Sequence, residues 1–168
     1  SISVKIEQKK LCEVYRLISI NSFVDLGSVI GYFTRTFDIV FLHEHTKHCY
    51  GRGWMNIDEI KHWYVNKDSS VKKDEYLVKL YLGDDDWWIK LKSPVDGIVT
   101  KLYKKEGESI HYDEVLATML ENAKPTIENQ IVSKYRGVLT EFEILNENKI
   151  KYSILPLPTY LNNWADSI

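Results

Sequence analysis

The sequence predicts a mainly β protein built around a small, flattened barrel. Three observations support this prediction: an internal repeat of 39 residues, short β-branched and aromatic stretches between polar turns, and an ordinary globular composition. The chain has 168 residues, of which 44% are hydrophobic and 27% charged, which is enough to bury a core. Short strands with turns every eight to twelve residues or so are typical of a small sandwich or barrel.

The repeat aligns residues 63–80, WYVNKDSSVKKDEYLVKL, with residues 102–119, LYKKEGESIHYDEVLATM, without a gap. Apolar positions that differ also keep their character, as Val71 does against Ile110. An ungapped repeat of this kind predicts two halves of one fold with the same local architecture. Five pairs are identical: Tyr64 with Tyr103, Ser70 with Ser109, Asp74 with Asp113, Glu75 with Glu114, and Leu77 with Leu116.

Each half is predicted to start with a strand and to continue through two polar turns. The starting strands, 63–65 and 99–103, are rich in β-branched and aromatic residues. A polar turn follows, then an apolar residue, a second polar turn and another apolar strand. Gly107 suits a positive φ in the first of these turns. Asp68, its counterpart, is one of the few other residue types that tolerate that conformation.

The flanks predict a mixed α/β N-terminal extension, residues 1–53, and a β-rich C-terminal extension, residues 122–168. Within the first, SVKIEQ alternates like an edge strand, residues 11–18 have the apolar spacing of a short helix, and FDIVFL at 37–42 is typical of a buried strand. Within the second, SKYRGVLTEFEIL repeats the pattern of SPVDGIVTKLYKK, which suggests a third strand-turn-strand unit. We expect this extension to pack on the core.

Residues 54–121 resemble the biotinyl/lipoyl carrier domain, a barrel-sandwich hybrid of two pseudo-symmetric four-stranded sheets. The stretch WYVNKDSSVKKDEYL fits the spacing of that family's first half, and SPVDGIV fits the start of its second half. The repeat of 39 residues is what the family's pseudo-dyad would produce. The positions that carry the resemblance are Trp63, Val65, Val71, Leu77, Ser93, Pro94, Gly97, Val99 and Gly107.

The resemblance also implies where a carrier would have its modified lysine, at the tip of a hairpin. In the family this lysine precedes the serine of the Ser-Pro pair by seven residues, and that position is Asp86 in this sequence. A carboxylate cannot form the amide that attaches biotin or lipoate, so we expect no covalent cofactor. The alternative is a biotin or lipoate carrier modified at a non-standard lysine, for which Lys90 is the nearest candidate.

The same region predicts a surface for binding a protein partner, formed by Asp84, Asp85, Asp86, Trp87 and Trp88. Neighbouring residues of a strand point to opposite faces, so we expect one tryptophan in the core and the other at the surface. Exposed tryptophan is a frequent anchor of protein interfaces. The alternative is that this side chain packs under one of the chain's own extensions.

One cluster has the chemistry of metal ligands. His43, His45, His48 and Cys49 lie within seven residues, and a strand would place the first two imidazoles on one face. Two imidazoles and a third ligand could bind zinc. A polar strand end without a metal has the same sequence, so we expect no metal, and a zinc site on the three histidines is the alternative.

Net charge, cysteine content and sequence motifs argue against several classes of function. A net charge of −2 and a pI near 6.2 favour neither nucleic acid nor an anionic membrane as partner. Cys12 and Cys49 are typical of unpaired thiols in a reducing cytoplasm. We expect neither a signal peptide nor a membrane span, because SISVKIEQKK has no apolar core of signal-peptide length and no segment is apolar over about 20 residues. No nucleophile, phosphate-loop or dinucleotide motif supports an enzyme. We therefore expect a cytoplasmic, non-catalytic module that binds protein or acts as a scaffold in a larger assembly.

Overall fold

The computed structural model describes residues 1–47, 49, 57–83 and 87–157. Antiparallel strands make up most of this part, which confirms the mainly β class predicted from the sequence. No helix among the described residues is long and apolar enough to cross a membrane. The strands are β1 (Ile2–Glu7), β2 (Leu11–Arg16), β3 (Phe23–Val24), β4 (Val29–Val40), β5 (Asp58–Trp63), β6 (Ser70–Val71), β7 (Tyr76–Leu82), β8 (Trp87–Lys92), β9 (Gly97–Leu102), β10 (Ser109–Ile110), β11 (Val115–Glu121), β12 (Gln130–Val132), β13 (Gly137–Asn146) and β14 (Lys149–Pro156).

The contacts divide the chain into two compact units. The central unit is Thr36–Asn122, and the flanking unit combines Ser1–Arg35 with the described residues that follow Asn122. Strand β4 runs across this boundary, and its residues from Thr36 onward pair with β11. The segment that resembles a carrier domain therefore lies within the central unit. Most residues of the N- and C-terminal extensions belong to the flanking unit.

Antiparallel strands surround one aliphatic core in the central unit. One sheet has the strand order β10-β5-β7-β8, and in the other β11 pairs with β4 and β9, and β9 pairs with β6. Alternate side chains of each strand point into the core. The largest side chains that are fully buried there are Phe41, Ile60, Leu77, Leu80, Leu82, Leu116 and Met119.

The first turn of each half docks on the opposite half of the central unit. Asp68 and Gly107 have φ angles of 71° and 85°, as their residue types predict. The Asp68 amide donates to the Val99 carbonyl at 2.7 Å, and the Gly107 amide donates to the Ile60 carbonyl at 2.8 Å. The two halves of the repeat thus make equivalent main-chain hydrogen bonds to one another.

The second turn of each half repeats this arrangement. Asp74 and Asp113 have φ angles of 70° and 67°. Their amides donate to the carbonyls of Ser93 and Phe41, at 2.8 Å and 2.7 Å. Asp and Asn enter the left-handed region at lower cost than most residues because their short polar side chains bond locally. The repeat read from the sequence is therefore present in the backbone as well.

The flanking unit contains a further copy of the same turns. Asn21 has a φ of 69° and donates its amide to the Leu139 carbonyl at 2.7 Å, while the Leu139 amide donates to the Ser22 carbonyl at 2.9 Å. Gly27, with a φ of 86°, donates to the Ser133 carbonyl at 2.9 Å, as Asp74 does to Ser93. The N- and C-terminal extensions thus use the docking geometry of the central unit.

The third strand-turn-strand unit expected in the C-terminal extension is confirmed. The Ser93 hydroxyl donates to the Val95 carbonyl at 2.6 Å, and the Ser133 hydroxyl donates to the Tyr135 carbonyl at 2.7 Å. Both serines are 1% exposed, so these bonds satisfy hydroxyls that are shielded from water. β9 and β13 each begin at the glycine that follows, where a Cβ would collide with a main-chain oxygen of the neighbouring strand.

The helix predicted over residues 11–18 is wrong, because this segment contains strand β2, which pairs with β4. A register shift between Leu11 and Glu13 interrupts the alternation of the strand. The bulge turns both Leu11 and Val14 toward the core of the flanking unit, three positions apart. A bulged strand thus produced the apolar spacing of a helical turn, and the N-terminal extension is β rather than mixed α/β in its described part.

The repeat predicts that truncating equivalent core residues has equivalent effects. Leu77 and Leu116 are 1% and 0% exposed, and we expect Leu77→Ala and Leu116→Ala each to lower the free energy of unfolding by about 2–5 kcal/mol. Urea denaturation followed by tryptophan fluorescence measures the change. Ile57→Ala, at a side chain that is 68% exposed, serves as the control and should stay within about 0.5 kcal/mol. A core variant as stable as this control would contradict the prediction.

Candidate functional site

The position implied for a carrier lysine lies between β7 and β8. These strands pair with Leu82 opposite Trp87, so residues 83–86 connect them. The Gly83 amide donates to the Ile57 carbonyl at 3.0 Å, and a Cβ on Gly83 would collide with that oxygen. Asp84, Asp85 and Asp86, which form the acidic part of the predicted interaction surface, lie outside the described residues.

Both tryptophans at the start of β8 are exposed. Trp87 is 56% exposed and Trp88 is 48% exposed, so the expectation that one of them enters the core is wrong. Trp87 lies opposite Leu82, at the end of the strand pair, whereas the core residues of β8 follow later in the strand. Trp88 packs against Tyr81, with 6.0 Å between ring centroids, and the Lys79 ammonium lies 5.0 Å from its ring centre.

The outer side of β7 and β8 is a continuous set of lysines and aromatic rings. Lys79 lies directly opposite Lys90, and Tyr76 lies opposite Lys92. The Lys90 ammonium is 4.8 Å from the Tyr76 ring centre and 5.7 Å from that of Tyr64 on the adjoining chain segment. We name this set the basic-aromatic face and define it as Tyr64, Tyr76, Lys79, Trp88, Lys90 and Lys92.

Cation–π contacts offset the repulsion within this face. Two ammonium groups directly opposite each other on neighbouring strands destabilise a sheet. An exposed ammonium group over an aromatic ring contributes about 0.5–1 kcal/mol of stabilising free energy. The Lys92 ammonium makes such a contact with Tyr76 at 5.8 Å, in addition to those of Lys79 and Lys90. The rings thus hold three like charges on two neighbouring strands.

Most of this face was not predicted from the sequence. Its signal within β8 is the alternation of Trp88, Lys90 and Lys92, which places all three side chains on one side of a strand. Lys79 and Tyr76 join them only through the register of β7 against β8. The sequence makes Lys90 an alternative modification site, but its position close to two tyrosine rings depends on strand packing and does not follow from chain order.

The histidine cluster does not have the predicted geometry. β4 ends at Val40, and His43 and His45 lie in a 3-10 turn, His43–Thr46, rather than on a strand. The ring of His43 stacks on Tyr112 with 3.6 Å between centroids. His48 lies outside the described residues. Among the described residues, no group of three His, Cys, Asp or Glu side chains could hold a metal ion.

His45 has a structural role in ending β4. Its Nδ1 accepts a hydrogen bond from the Leu42 amide at 2.9 Å, and its own amide donates to the Leu42 carbonyl at 3.0 Å. An accepting Nδ1 requires the neutral ring with its proton on Nε2. Partial burial lowers the pKa of His45, against a smaller opposing effect of Glu44. The reciprocal bonds bend the chain out of the strand and explain why the predicted strand face does not form.

The lowered pKa predicts that acid selectively weakens this turn. The folded state favours neutral His45, so the stability it contributes is present above the unfolded pKa near 6.5 and is lost as the pH falls below that value. The substitution His45→Asn retains an acceptor for the Leu42 amide and introduces a side chain that cannot titrate. We expect the free energy of unfolding of wild type to fall more steeply between about pH 7 and 5 than that of His45→Asn. Equal slopes in urea titrations would contradict this.

Comparison with protein families agrees with the geometry of the central unit. A family model described as biotin-requiring enzyme matches residues 55–119. A comparison with curated proteins gave no significant match. The matched segment covers both halves of the repeat, the four turns with positive φ and the strands β7 and β8. In sequence and in its mainly β fold, this segment of the chain is therefore similar to a biotinyl/lipoyl carrier domain.

Proposed function

We propose that the central unit is an unmodified biotinyl/lipoyl-like module that binds protein and acts as a scaffold in a larger assembly, without catalysis. One observation carries this proposal: the position at which carriers have their acceptor lysine is Asp86. Biotin and lipoate are attached through an amide on a lysine amine, and a carboxylate cannot supply that amine. The fold of a carrier is thus combined with a residue that excludes the carrier's own chemistry at that position.

The assignment of Asp86 depends on the position of Ser93, which several contacts support. The Ser93 carbonyl accepts the amide of Asp74 at 2.8 Å, and the Ser93 amide donates to the Glu75 carbonyl at 2.8 Å. Its hydroxyl bonds the Val95 carbonyl at the start of the second half. From Ser93, β8 leads back to Trp87 without a register shift against β7 between Leu91 and Trp87. The position of Ser93, from which Asp86 is counted, is therefore fixed by several hydrogen bonds.

The surroundings of Lys90 favour an unmodified lysine there. Lys90 lies within β8, opposite Lys79, rather than in the connection between β7 and β8. Its ammonium is close to the rings of Tyr76 and Tyr64. Acylation would remove the positive charge on which these contacts depend. The ammonium groups of Lys79 and Lys92 also lie over aromatic rings, so acylation of either lysine would likewise remove the charge on which its contact depends.

A cytoplasmic location and a protein partner complete the proposal. Cys12 is exposed and Cys49 is partly buried, and both are free thiols, as is usual in a reducing compartment. Trp87 and Trp88 offer large exposed apolar surfaces next to the acidic residues 84–86. Tryptophan is enriched among residues that dominate binding energy at protein interfaces. The net charge of −2 supports a protein partner over nucleic acid or an anionic membrane.

The intact mass of the protein after exposure to ligases tests this proposal. Wild type is incubated with biotin ligase or with lipoate ligase, each with its cofactor and ATP. We expect no mass increase. Asp86→Lys should gain one lipoyl group, because Asp85 supplies the acidic residue that precedes the lysine in lipoyl domains. Peptide mapping then locates the modification.

The double variant Asp86→Lys with Lys90→Arg is the matched control and should be lipoylated to the same extent. Modification of wild type that maps to Lys90, or to another lysine of β7 or β8, would overturn the proposal in favour of a working carrier. Failure of Asp86→Lys to be modified, in a variant that unfolds at the same urea concentration as wild type, would contradict the assignment of this position.

A further inference from the structure

We propose that the basic-aromatic face binds an extended acidic segment of another protein, which adds as a strand to the free edge of β8. The inference rests on the proposed function and names the chemistry of the partner that this function requires. The partner would alternate carboxylates with apolar side chains. Its carboxylates would lie on the same side of the sheet as Lys90 and Lys92, and its apolar side chains would point to the opposite side, beside Ile89 and Leu91 of β8.

The charge of the face is uncompensated within the described chain. Strands β7 and β8 contain three lysines and no carboxylate. Among the described residues, Lys79, Lys90 and Lys92 lie over aromatic rings and form no ion pair. Elsewhere in the same unit a lysine is paired, as Lys104 is with Glu114 at 3.0 Å. Carboxylates of a partner could therefore pair with these ammonium groups without breaking an ion pair within the described part of the chain.

The aromatic residues of the face supply apolar area beside these charges. Tyr64, Tyr76 and Trp88 are 43%, 45% and 48% exposed. Aromatic residues have few rotatable bonds, so ordering them on binding costs little entropy. Each ring already contacts a lysine, which limits its movement further. The face is thus organised before a partner arrives.

Main-chain groups of β8 are available for strand addition. In the described part of the sheet with order β10-β5-β7-β8, β8 is the last strand and pairs with β7 alone. An edge strand has unpaired amides and carbonyls that can bond an added extended peptide. Side chains of the added strand would continue the rows across β7 and β8. Lys90 and Lys92 belong to those rows, so they would select the partner's side chains.

The charge pattern favours an acidic partner over a second copy of the chain. Antiparallel pairing of two β8 strands would bring the lysines of one copy close to those of the other, and like charges across neighbouring strands destabilise a sheet. Lysines on an edge strand are a usual barrier to such self-pairing. Carboxylates on an added acidic strand would instead attract the lysines of β8.

Single-stranded nucleic acid also binds lysines and aromatic rings, but two observations argue against it. Ammonium groups already lie over the rings on which bases would stack. On the side of the sheet away from β8, Glu106 lies 2.9 Å from the His62 ring, which places a carboxylate close to Tyr64. A phosphate chain that crossed the sheet would meet this negative charge, whereas a strand on the β8 edge would not.

The experiment is a titration of the full chain, labelled with 15N, with a synthetic peptide of eight residues that alternates glutamate and valine. We expect amide shift changes concentrated at Trp87–Lys92 and binding that weakens as salt is raised, because exposed ion pairs are screened. Lys90→Glu with Lys92→Glu should weaken binding about tenfold or more, since two attractions become repulsions. The control, Lys101→Glu with Lys105→Glu, changes the charge of the same unit equally and should bind as wild type does.

Three outcomes would overturn the inference: no shift changes at millimolar peptide, equal binding of a peptide with lysine in place of glutamate, or stronger binding of an oligothymidylate. The intact mass of the same sample separates this test from that of the proposed function. A biotin or lipoyl mass would overturn the proposed function whatever the peptide does. An unmodified protein that ignores the acidic peptide would overturn this inference alone.

Discussion

The docking of a left-handed turn on a strand of the facing half is the interaction on which the rest of the structure depends. It occurs at Asp68, at Gly107 and, in the flanking unit, at Asn21. In each case a turn amide donates to a carbonyl of a strand distant in sequence, and the next apolar residue enters the core. Burial of the aliphatic side chains requires this closure, because the short strands β3, β6 and β10 pair only where the turns place them.

The same closure produces the surface features of the central unit. The turn at Asp74 bonds Ser93 and so sets where β8 meets β7. That register places Lys90 opposite Lys79, and the strand order makes β8 the last strand of its sheet among the described residues. A shift of one residue would turn the lysines inward, where unpaired charge is very costly. The core and the basic-aromatic face are therefore two results of one register.

Much of the fold could be predicted from the sequence, and the failures have physical causes. The repeat and its turn residues were visible because each turn needs Gly, Asp or Asn at a fixed spacing. β2 was mistaken for a helix because its bulge placed Leu11 and Val14 on one side. The histidines were placed on a strand because the reciprocal bonds of His45 with Leu42, which end β4 in a 3-10 turn, have no signature in composition or spacing.

The sequence by itself determined that the central unit is β and that it has two equivalent halves, since these follow from local residue types, and counting along the chain is also the basis for the proposal that Asp86 stands where a carrier has its lysine. Only the tertiary structure decided that β4 contributes to both units, that both tryptophans are exposed, and that Lys79, Lys90 and Lys92 share a face with aromatic rings. Those properties depend on which strands become neighbours and in what register. Pairing between distant segments is a property of the folded chain and is not encoded in any single stretch of it.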